Sequence, residues 1–366
     1  MKKIIKNTLT HVTMACTMLV APVALCMHTP LHEAARCGDF AAVQALIKDG
    51  ANTNAQAMGG DTPLHYAAEK GHADVVTLLL GKGANTEAQN KYVGTPLHYA
   101  AEKGHADVVR LLLGAGANPN ALNELHWTPL HLAAQNDHAD VVTLLLGKGA
   151  NPEAQDKWGD PPLHQAAACG CANVVTLLLG KGANTEAQNE GGCTPLHQAA
   201  VSGCANVVSL LLGKGANTEA QNKWGSTPLH LAALNGHADV VGWLLDAGAN
   251  KDASGEKQLT PLHIAARNGH ANVVRLLLDA GANKEAQSEC VEPPLHLAVL
   301  HDRANVVSLL LGAGANTEAP NNLGDTSLQF AAQIDRANVV RLLLGAGANT
   351  DAPNDPSMAS WSWALR

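Results

Sequence analysis

Nine histidines recur along this chain at a constant interval of 33 residues, and imidazole is both the commonest metal ligand and a proton carrier. A zinc ion needs its ligand nitrogens about 2 Å away, whereas neighbouring helices pack about 8–10 Å apart. If each histidine belongs to a separate helix, equivalent side chains cannot meet at one ion. We therefore predict a structural role, and no metal or catalytic array, for His32, His65, His98, His131, His164, His197, His230, His263 and His296.

Four cysteines lie close together in sequence, and thiolates bind zinc and carry redox chemistry. Cys171 and Cys204 are 33 residues apart, so one structural unit should separate their Cα atoms, beyond the roughly 7 Å limit for a disulfide. The pair Cys169 and Cys193 remains open, but the chain has no Cys-x-x-Cys pattern. Small core or surface thiols are the default interpretation. The alternative is a metal-binding or redox-active protein that uses Cys169, Cys171, Cys193 and Cys204.

The histidines belong to a phrase, Thr-Pro-Leu-His, that repeats through the chain. Consecutive copies start 33 residues apart without insertion or deletion, so residues 29–358 are ten repeats. Two copies begin with Pro-Pro-Leu-His and the last with Thr-Ser-Leu-Gln. One such unit cannot bury its apolar face alone, and the copies must stack into one elongated solenoid. The repeats start at Thr29, Thr62, Thr95, Thr128, Pro161, Thr194, Thr227, Thr260, Pro293 and Thr326.

Each repeat is predicted to form a helix, a turn, a second helix and a projecting loop, as residues 62–94 illustrate. Thr62 is a good N-cap, and Pro63 occupies the first helical position, where its missing N–H costs nothing. Gly71 ends this helix, and Gly83 stops the next one in a left-handed conformation. The apolar positions are Leu64, Ala67, Ala68, Val75, Val76, Leu78, Leu79 and Leu80. The fold class is thus predicted to be all-α.

This pattern resembles the ankyrin repeat. The signature Thr-Pro-Leu-His-x-Ala-Ala, followed by Gly-His, Val-Val-x-Leu-Leu-Leu and Gly-Ala, stands almost whole at residues 62–84, 95–117 and 227–249. The resemblance covers most of the chain and implies an ankyrin-repeat solenoid of ten stacked helix-turn-helix units with projecting hairpin-like loops, here called fingers. It implies that the signature histidine hydrogen-bonds its loop and the neighbouring repeat. It also implies protein binding along the concave face and finger tips, without catalytic activity or cofactor.

Two departures from the signature carry their own expectations. The family favours glycine two residues before the signature threonine, and Val93, His126, Gln258 and Val291 stand there instead. We expect altered tips in those four fingers. Trp243 replaces a leucine of the second helix, and we predict that it is part of the core.

Aromatic residues suggest a binding surface. They make up only 3% of the chain, yet most of them fall in the finger segment before the signature or directly after its histidine. These are Tyr92, Trp127, Trp158, Trp224, Tyr66 and Tyr99. By the resemblance such positions face the concave groove, and Trp and Tyr dominate binding hot spots. We interpret them as anchors for a partner; the alternative is that finger aromatics pack on adjacent fingers and stabilise the stack.

Diversity among the copies is concentrated after the Ala-Ala pair of the first helix, while helix-interior residues hardly change. Diversity confined to one face suggests contact with a partner, although drift at solvated positions would look similar. Joined to the aromatic positions, these residues give our hypothesis for the protein-binding set. It comprises Tyr66, Glu69, Lys70, Tyr92, Tyr99, Glu102, Lys103, Trp127, Gln135, Trp158, Gln165, Gln198, Trp224 and Leu231.

Residues 1–26 differ from the repeats. Lysines at the start precede an uncharged stretch from Val12 to Leu25, as in a signal peptide, and we place the cut after Cys26. The stretch is shorter than the ~20 apolar residues of a membrane span, so no stable span is expected. We predict an exported protein, periplasmic or secreted, and a cytoplasmic one if the segment is not a functional signal. Free thiols conflict with export into an oxidising compartment.

The predicted function is a non-enzymatic scaffold for protein–protein interaction, in the setting of an exported bacterial or host-directed effector. The formal net charge is −8 and no basic run follows the N-terminus, so nucleic acid is not an expected partner. We expect a monomer that needs no cofactor and binds a protein of unknown identity. A purely structural spacer is a second alternative. In the C-terminal tail, residues 359–366, Trp361 and Trp363 either cover the last repeat or are disordered.

Overall fold

A computed structural model describes residues 28–289 and 292–350. In these ranges the chain forms twenty α-helices, arranged as ten pairs, together with one short 3₁₀ turn and no strand. None of the helices there has the length and apolar character that crossing a membrane requires. The predicted signal segment, residues 1–26, and the predicted tail, residues 359–366, lie outside the described residues.

The first helices of the ten repeats begin at the signature phrase. They are α1 (Pro30–Cys37), α3 (Pro63–Lys70), α5 (Pro96–Lys103), α7 (Pro129–Gln135), α9 (Pro162–Cys169), α11 (Pro195–Ser202), α13 (Pro228–Asn235), α15 (Pro261–Asn268), α17 (Pro294–Leu300) and α19 (Ser327–Gln333).

The second helices follow after a tight turn. They are α2 (Phe40–Lys48), α4 (Ala73–Gly81), α6 (Ala106–Gly114), α8 (Ala139–Gly147), α10 (Ala172–Gly180), α12 (Ala205–Gly213), α14 (Ala238–Asp246), α16 (Ala271–Asp279), α18 (Ala304–Gly312) and α20 (Ala337–Gly345).

The start of each first helix is fixed by a capping box, seen at α3. Thr62 has extended backbone angles; its N–H donates to Nδ1 of His65 (3.0 Å), and its side chain accepts from the backbone N–H of His65. Histidine therefore takes the place that glutamate or glutamine usually holds in this motif. At the other end, Gly71 has a φ of 80°, the left-handed conformation that ends a helix.

The core runs through the whole stack. Each first helix packs on the first helices of the adjacent repeats, each second helix on the adjacent second helices, and the two helices of a repeat pack on each other. In the second repeat the fully buried side chains are Leu64, Ala67, Ala68, Val75, Val76 and Leu79. Burying each leucine or valine contributes about 1.5–3 kcal/mol, so neighbouring repeats stabilise one another through small, closely packed side chains.

Trp243 is not part of this core, and the prediction for it was wrong. Its side chain is 48% exposed. It occupies the position of Leu78, which is itself only half-buried on the flank of the second helix. The indole lies at the surface of α14, where it lines a shallow groove with Ala205 of α12 and Leu276 of α16.

A polar ladder joins the repeats along the loops that leave the second helices. The side chain of Asn54 accepts from the backbone N–H of Asn85 (2.7 Å), and Glu87 accepts from that of Asn118 (2.9 Å). The same contact recurs as far as Glu318 and Asn349 (3.0 Å). Each loop is thereby held by a side chain from the repeat before it.

The finger tips follow one turn even where glycine is replaced, which corrects part of the prediction. Gly60 has a φ of 80° and donates to the carbonyl of Ala57. Val93 and His126 adopt φ values of 62° and 60° and keep the equivalent bond, so their tips are not altered. The tip at Gln258 is altered: Lys257 is also left-handed, within a 3₁₀ turn. Val291 lies outside the described residues.

Replacing Val93 with glycine is expected to stabilise the protein by about 1 kcal/mol. A β-branched residue in the left-handed region costs roughly 1–2 kcal/mol, which glycine would avoid. The greater conformational freedom of glycine in the unfolded chain offsets roughly 0.5–1 kcal/mol of this gain. Urea unfolding followed by circular dichroism would measure the change. Val93→Ala is the control, because alanine keeps the backbone strain; an equal gain in both variants would contradict this explanation.

Candidate functional site

The finger loops are built around one polar residue five positions before the capping residue. In the finger of the second repeat, Oδ1 of Asn90 accepts from the backbone N–H groups of Tyr92 (3.0 Å) and Gly94 (3.1 Å). Equivalent bonds are made by Asn123, Asp156, Asn189, Asn222 and Asn321. Sequence reasoning missed this residue, although its 33-residue spacing was visible. It fixes the loop while leaving the side chain at the tip free.

Backbone hydrogen bonds also tie consecutive tips together. The tip residue stands three positions before the capping residue; its carbonyl accepts from an N–H of the next finger. Examples are the bonds from Glu124 N to Tyr92 O and from Glu190 N to Trp158 O, both 2.9 Å. The spacing of the tips is thus set by the backbone, and the row is rigid.

Large apolar side chains stand exposed on this row. Tyr92 is 54% exposed, Trp158 49% and Trp224 48%. The structure adds two residues that the sequence hypothesis had omitted: Leu125, 41% exposed on this row, and Leu323, 76% exposed at the tip of a later finger. The sequence could have identified both residues, because each stands three positions before a capping residue. The hypothesis considered only aromatic residues at that position. A fixed row of exposed apolar groups can bind another protein.

Trp127 does not belong to the exposed row. It stands directly before the capping residue, where its Nε1 donates to Oδ2 of Asp156 (3.0 Å) and its ring stacks on His131 with centroids 6.3 Å apart. The same oxygen of Asp156 accepts from Gln165 (3.3 Å). These contacts match the alternative in which a finger aromatic stabilises the stack.

The remaining residues of the hypothesised binding set lie on the first helices. Five are half-buried beside the fingers: Tyr66, Tyr99, Gln165, Gln198 and Leu231. The hydroxyl of Tyr99 accepts from the Asn90 side chain, which links helix to finger. Further along the helices, Glu69 pairs with Lys70 and Glu102 with Lys103, each at 2.7 Å, and Gln135 is half-buried. Partly exposed polar groups therefore flank the exposed finger tips.

Each signature histidine ties its first helix to the finger that ends the same repeat. In the second repeat, His65 Nε2 donates to the carbonyl of Gly94 at the base of the next finger (3.0 Å), while Nδ1 receives the capping N–H. His98 and His197 make the same bonds to Trp127 and Ser226. This arrangement requires a neutral ring with its proton on Nε2. Burial lowers the pKa of His98, His164, His197 and His263 to about 4, so the rings are neutral at pH 7.

The fifth repeat breaks this pattern because proline replaces the capping threonine. Pro161 has neither an N–H nor a hydroxyl, and Nδ1 of His164 is buried without a hydrogen-bond partner in the part of the chain that is described. Its Nε2 still bonds the carbonyl of Cys193 (2.9 Å). Nearby, burial raises the pKa of Asp160 to about 7, and that carboxyl accepts from Asn189 (2.8 Å). These groups bond the finger that ends the fifth repeat and do not converge on an open cleft.

The four cysteines do not form a site. Cys169 is exposed, Cys171 is buried, Cys193 and Cys204 are half-buried, and all four are free thiols. Burial raises the pKa of Cys171 to about 12 and also raises those of the other three, so the thiolate form is disfavoured. Among the described residues, no group of three or more His, Cys, Asp or Glu side chains could hold a metal ion.

Comparison with known proteins identifies the fold. The family model for ankyrin repeats in sets of three copies matches residues 8–90, 83–156, 148–222, 210–288 and 284–354. The chain therefore belongs to the ankyrin repeat family. It is similar to the crystal structure of the human ASB11 ankyrin repeat domain, with 32% identity and a TM-score of 0.57, over 61% of this chain and 99% of that one. No curated protein sequence matches the chain significantly.

Replacing Pro161 with threonine is expected to stabilise the protein by about 1 kcal/mol. A hydrogen bond to the buried Nδ1 of His164 should contribute about 1–3 kcal/mol to stability. Without proline the unfolded chain is less constrained, which subtracts about 0.4–1 kcal/mol from this gain. The urea midpoint would measure the gain. Pro293→Thr is the matched control and should gain less, because Ser327 already bonds His296 Nδ1 (3.2 Å). A larger gain at Pro293 would refute the explanation.

The stack is expected to lose stability in mild acid. The folded-state pKa of about 4 for His197 lies below its ordinary 6.5, so the unfolded chain binds more protons. Stability is full above about pH 6.5 and falls towards pH 4; each such histidine costs about 2 kcal/mol by about pH 5. Urea midpoints measured across this range would show the fall.

His197→Gln is the control for that loss. Gln329 already takes the histidine's place in the tenth repeat, where its Oε1 accepts from Thr326 N (2.8 Å). Glutamine should therefore keep the cap, lose the bond to the finger carbonyl of Ser226 at every pH and make the pH dependence shallower. An unchanged slope would rule out His197 as a source of the acid sensitivity.

Proposed function

We propose that this protein is a non-enzymatic scaffold that binds a partner protein along its finger tips and the adjoining faces of the first helices. Ankyrin repeats are generally modules for protein–protein interaction, and the chain is built from them over most of its length. The observation that carries the proposal is the rigid row of exposed apolar tips, at Tyr92, Leu125, Trp158 and Trp224. Aromatic anchors on a pre-organised backbone lose little entropy on binding.

The thiol alternative finds no comparable support. The sulfur of Cys171 lies 3.6 Å from the carbonyl of Gln135, and that of Cys204 lies 3.9 Å from the carbonyl of Ala168. Each thus packs on the preceding repeat. Elemental analysis of the purified protein tests the alternative directly, since stoichiometric zinc or iron would favour it. A passive spacer would need no exposed Trp at the tips.

We also propose export, in the setting of a host-directed effector. The support is the composition of residues 1–26, a basic start followed by an uncharged apolar stretch. These residues lie outside the described ranges. N-terminal sequencing of the native protein decides this, because a mature chain that starts after Cys26 is the expected result.

The double variant Trp158→Glu and Trp224→Glu is expected to abolish partner capture while leaving helicity unchanged. Two charges at the centre of an apolar contact leave unpaired groups on binding, a loss of at least about 2 kcal/mol per residue. Immobilised full-length protein would be exposed to candidate lysates, and the retained proteins quantified by mass spectrometry.

Trp243→Glu is the matched control. That indole is equally exposed, at 48%, but stands on α14 away from the tips. Proteins retained by the wild type and by this control, yet lost from the double variant, are partners that bind the exposed finger tips. Retention of the same proteins by the double variant would defeat the proposal.

A further inference from the structure

Six finger tips form one uninterrupted row, here called the tip row: Gly59, Tyr92, Leu125, Trp158, Gly191 and Trp224. From Gly59 to Gly191, the carbonyl of each tip accepts a backbone N–H from the next finger, at 2.8–3.1 Å. No such bond is found from Trp224 to the next finger in the described residues. The side chains of this row are therefore presented at a constant spacing, as on a template.

The residues just before the tips alternate in charge. They are Lys91, Glu124, Lys157, Glu190 and Lys223, all exposed. Lys91 lies over the Tyr92 ring, with Nζ 4.8 Å from the centroid. None of the ion pairs found in the described ranges involves any of the five. The five charged groups are thus not neutralised by ion pairs between adjacent fingers.

A row with an even number of alternating charges is complementary to itself when it is reversed. The four charges from Lys91 to Glu190 form such a row, and Lys223 then faces the uncharged Met58 of the second copy. A two-fold axis makes a surface meet its own copy running the other way. If the axis passes between the fingers of Glu124 and Lys157, each of these residues faces the other in the second copy. Lys91 then faces Glu190 of the second copy, so four pairs of opposite charge form in all.

The same axis also matches the sizes of the tips. Leu125 meets Trp158 of the second copy at the centre, Tyr92 meets Gly191, and Gly59 meets Trp224. Both glycine tips thus lie opposite aromatic rings. Gly191 has no side chain and its own neighbour Trp224 lies along it, 3.6 Å from where a Cβ would stand. The Tyr92 ring of the second copy would pack against this indole.

We propose that the tip row is a self-association surface through which two copies of this chain pair antiparallel, with the axis between the fingers of Glu124 and Lys157. The proposal rests on the proposed function in that it uses the same exposed tips, and it names a second copy as their occupant. It departs from the monomer expected from sequence. A uniformly acidic or basic partner fits less well, because two or three of the five charges in the row would oppose it.

Charge reversal tests the register. Lys157→Glu alone and Glu124→Lys alone each place like charges opposite one another twice, so each should weaken self-association at least about tenfold. Mixing the two single variants should restore pairing, since every facing pair becomes opposite again. The double variant should also pair with itself. Sedimentation velocity of the full-length chain over a range of concentrations would measure this, with circular dichroism to verify folding.

The matched control is Lys148→Glu, which makes the same charge change at an exposed residue after α8, away from the tips. It should leave the association constant unchanged. A wild type that stays monomeric at every concentration overturns the proposal. So does a failure of the mixed single variants to pair, or rescue of Lys157→Glu by Glu190→Lys, which would require another register.

The outcomes separate this proposal from the scaffold function. If the wild type is monomeric but still captures proteins through Trp158 and Trp224, self-association is wrong and the scaffold stands. If charge rescue occurs but no captured protein depends on these tryptophans, the row serves pairing and the scaffold proposal fails.

Discussion

The stack depends on the signature histidine, whose side chain makes two hydrogen bonds at once. At His65, Nδ1 accepts the N–H that starts its own helix and Nε2 donates to the carbonyl at the base of the next finger. The start of a helix and the position of the following finger are therefore fixed together. Because the interaction recurs every 33 residues, each finger, and with it the capping residue that opens the next repeat, is held in the same way along the stack.

The same requirement limits what the chain can do chemically. Each ring must be buried and neutral to make both bonds, and both of its nitrogens are engaged; where a capping group is missing, as at Pro161, the freed atom of His164 remains buried. Histidines held in this way cannot exchange protons with a substrate. Any functional chemistry must come from residues outside this network, and our proposal assigns it to the side chains at the finger tips.

Much of this architecture was predictable from the sequence, because it follows from local rules. The cap at Thr62 and the left-handed stop at Gly71 need only the residues around them. The finger tips were harder: Val93 adopts the conformation expected of glycine because Asn90 holds its loop from the side. Trp243 was misplaced because residue type cannot tell which flank of a second helix the next repeat covers.

Stability and recognition are carried by different atoms of the fingers. The tips bond one another through backbone groups only, so the fold tolerates glycine, leucine or tryptophan at the same position. Trp127 shows the contrast, because two residues further along its indole donates to Asp156 of the next finger. The stack leaves the tip side chains and the charged side chains before them free, and this freedom is why our proposals assign recognition to these two positions.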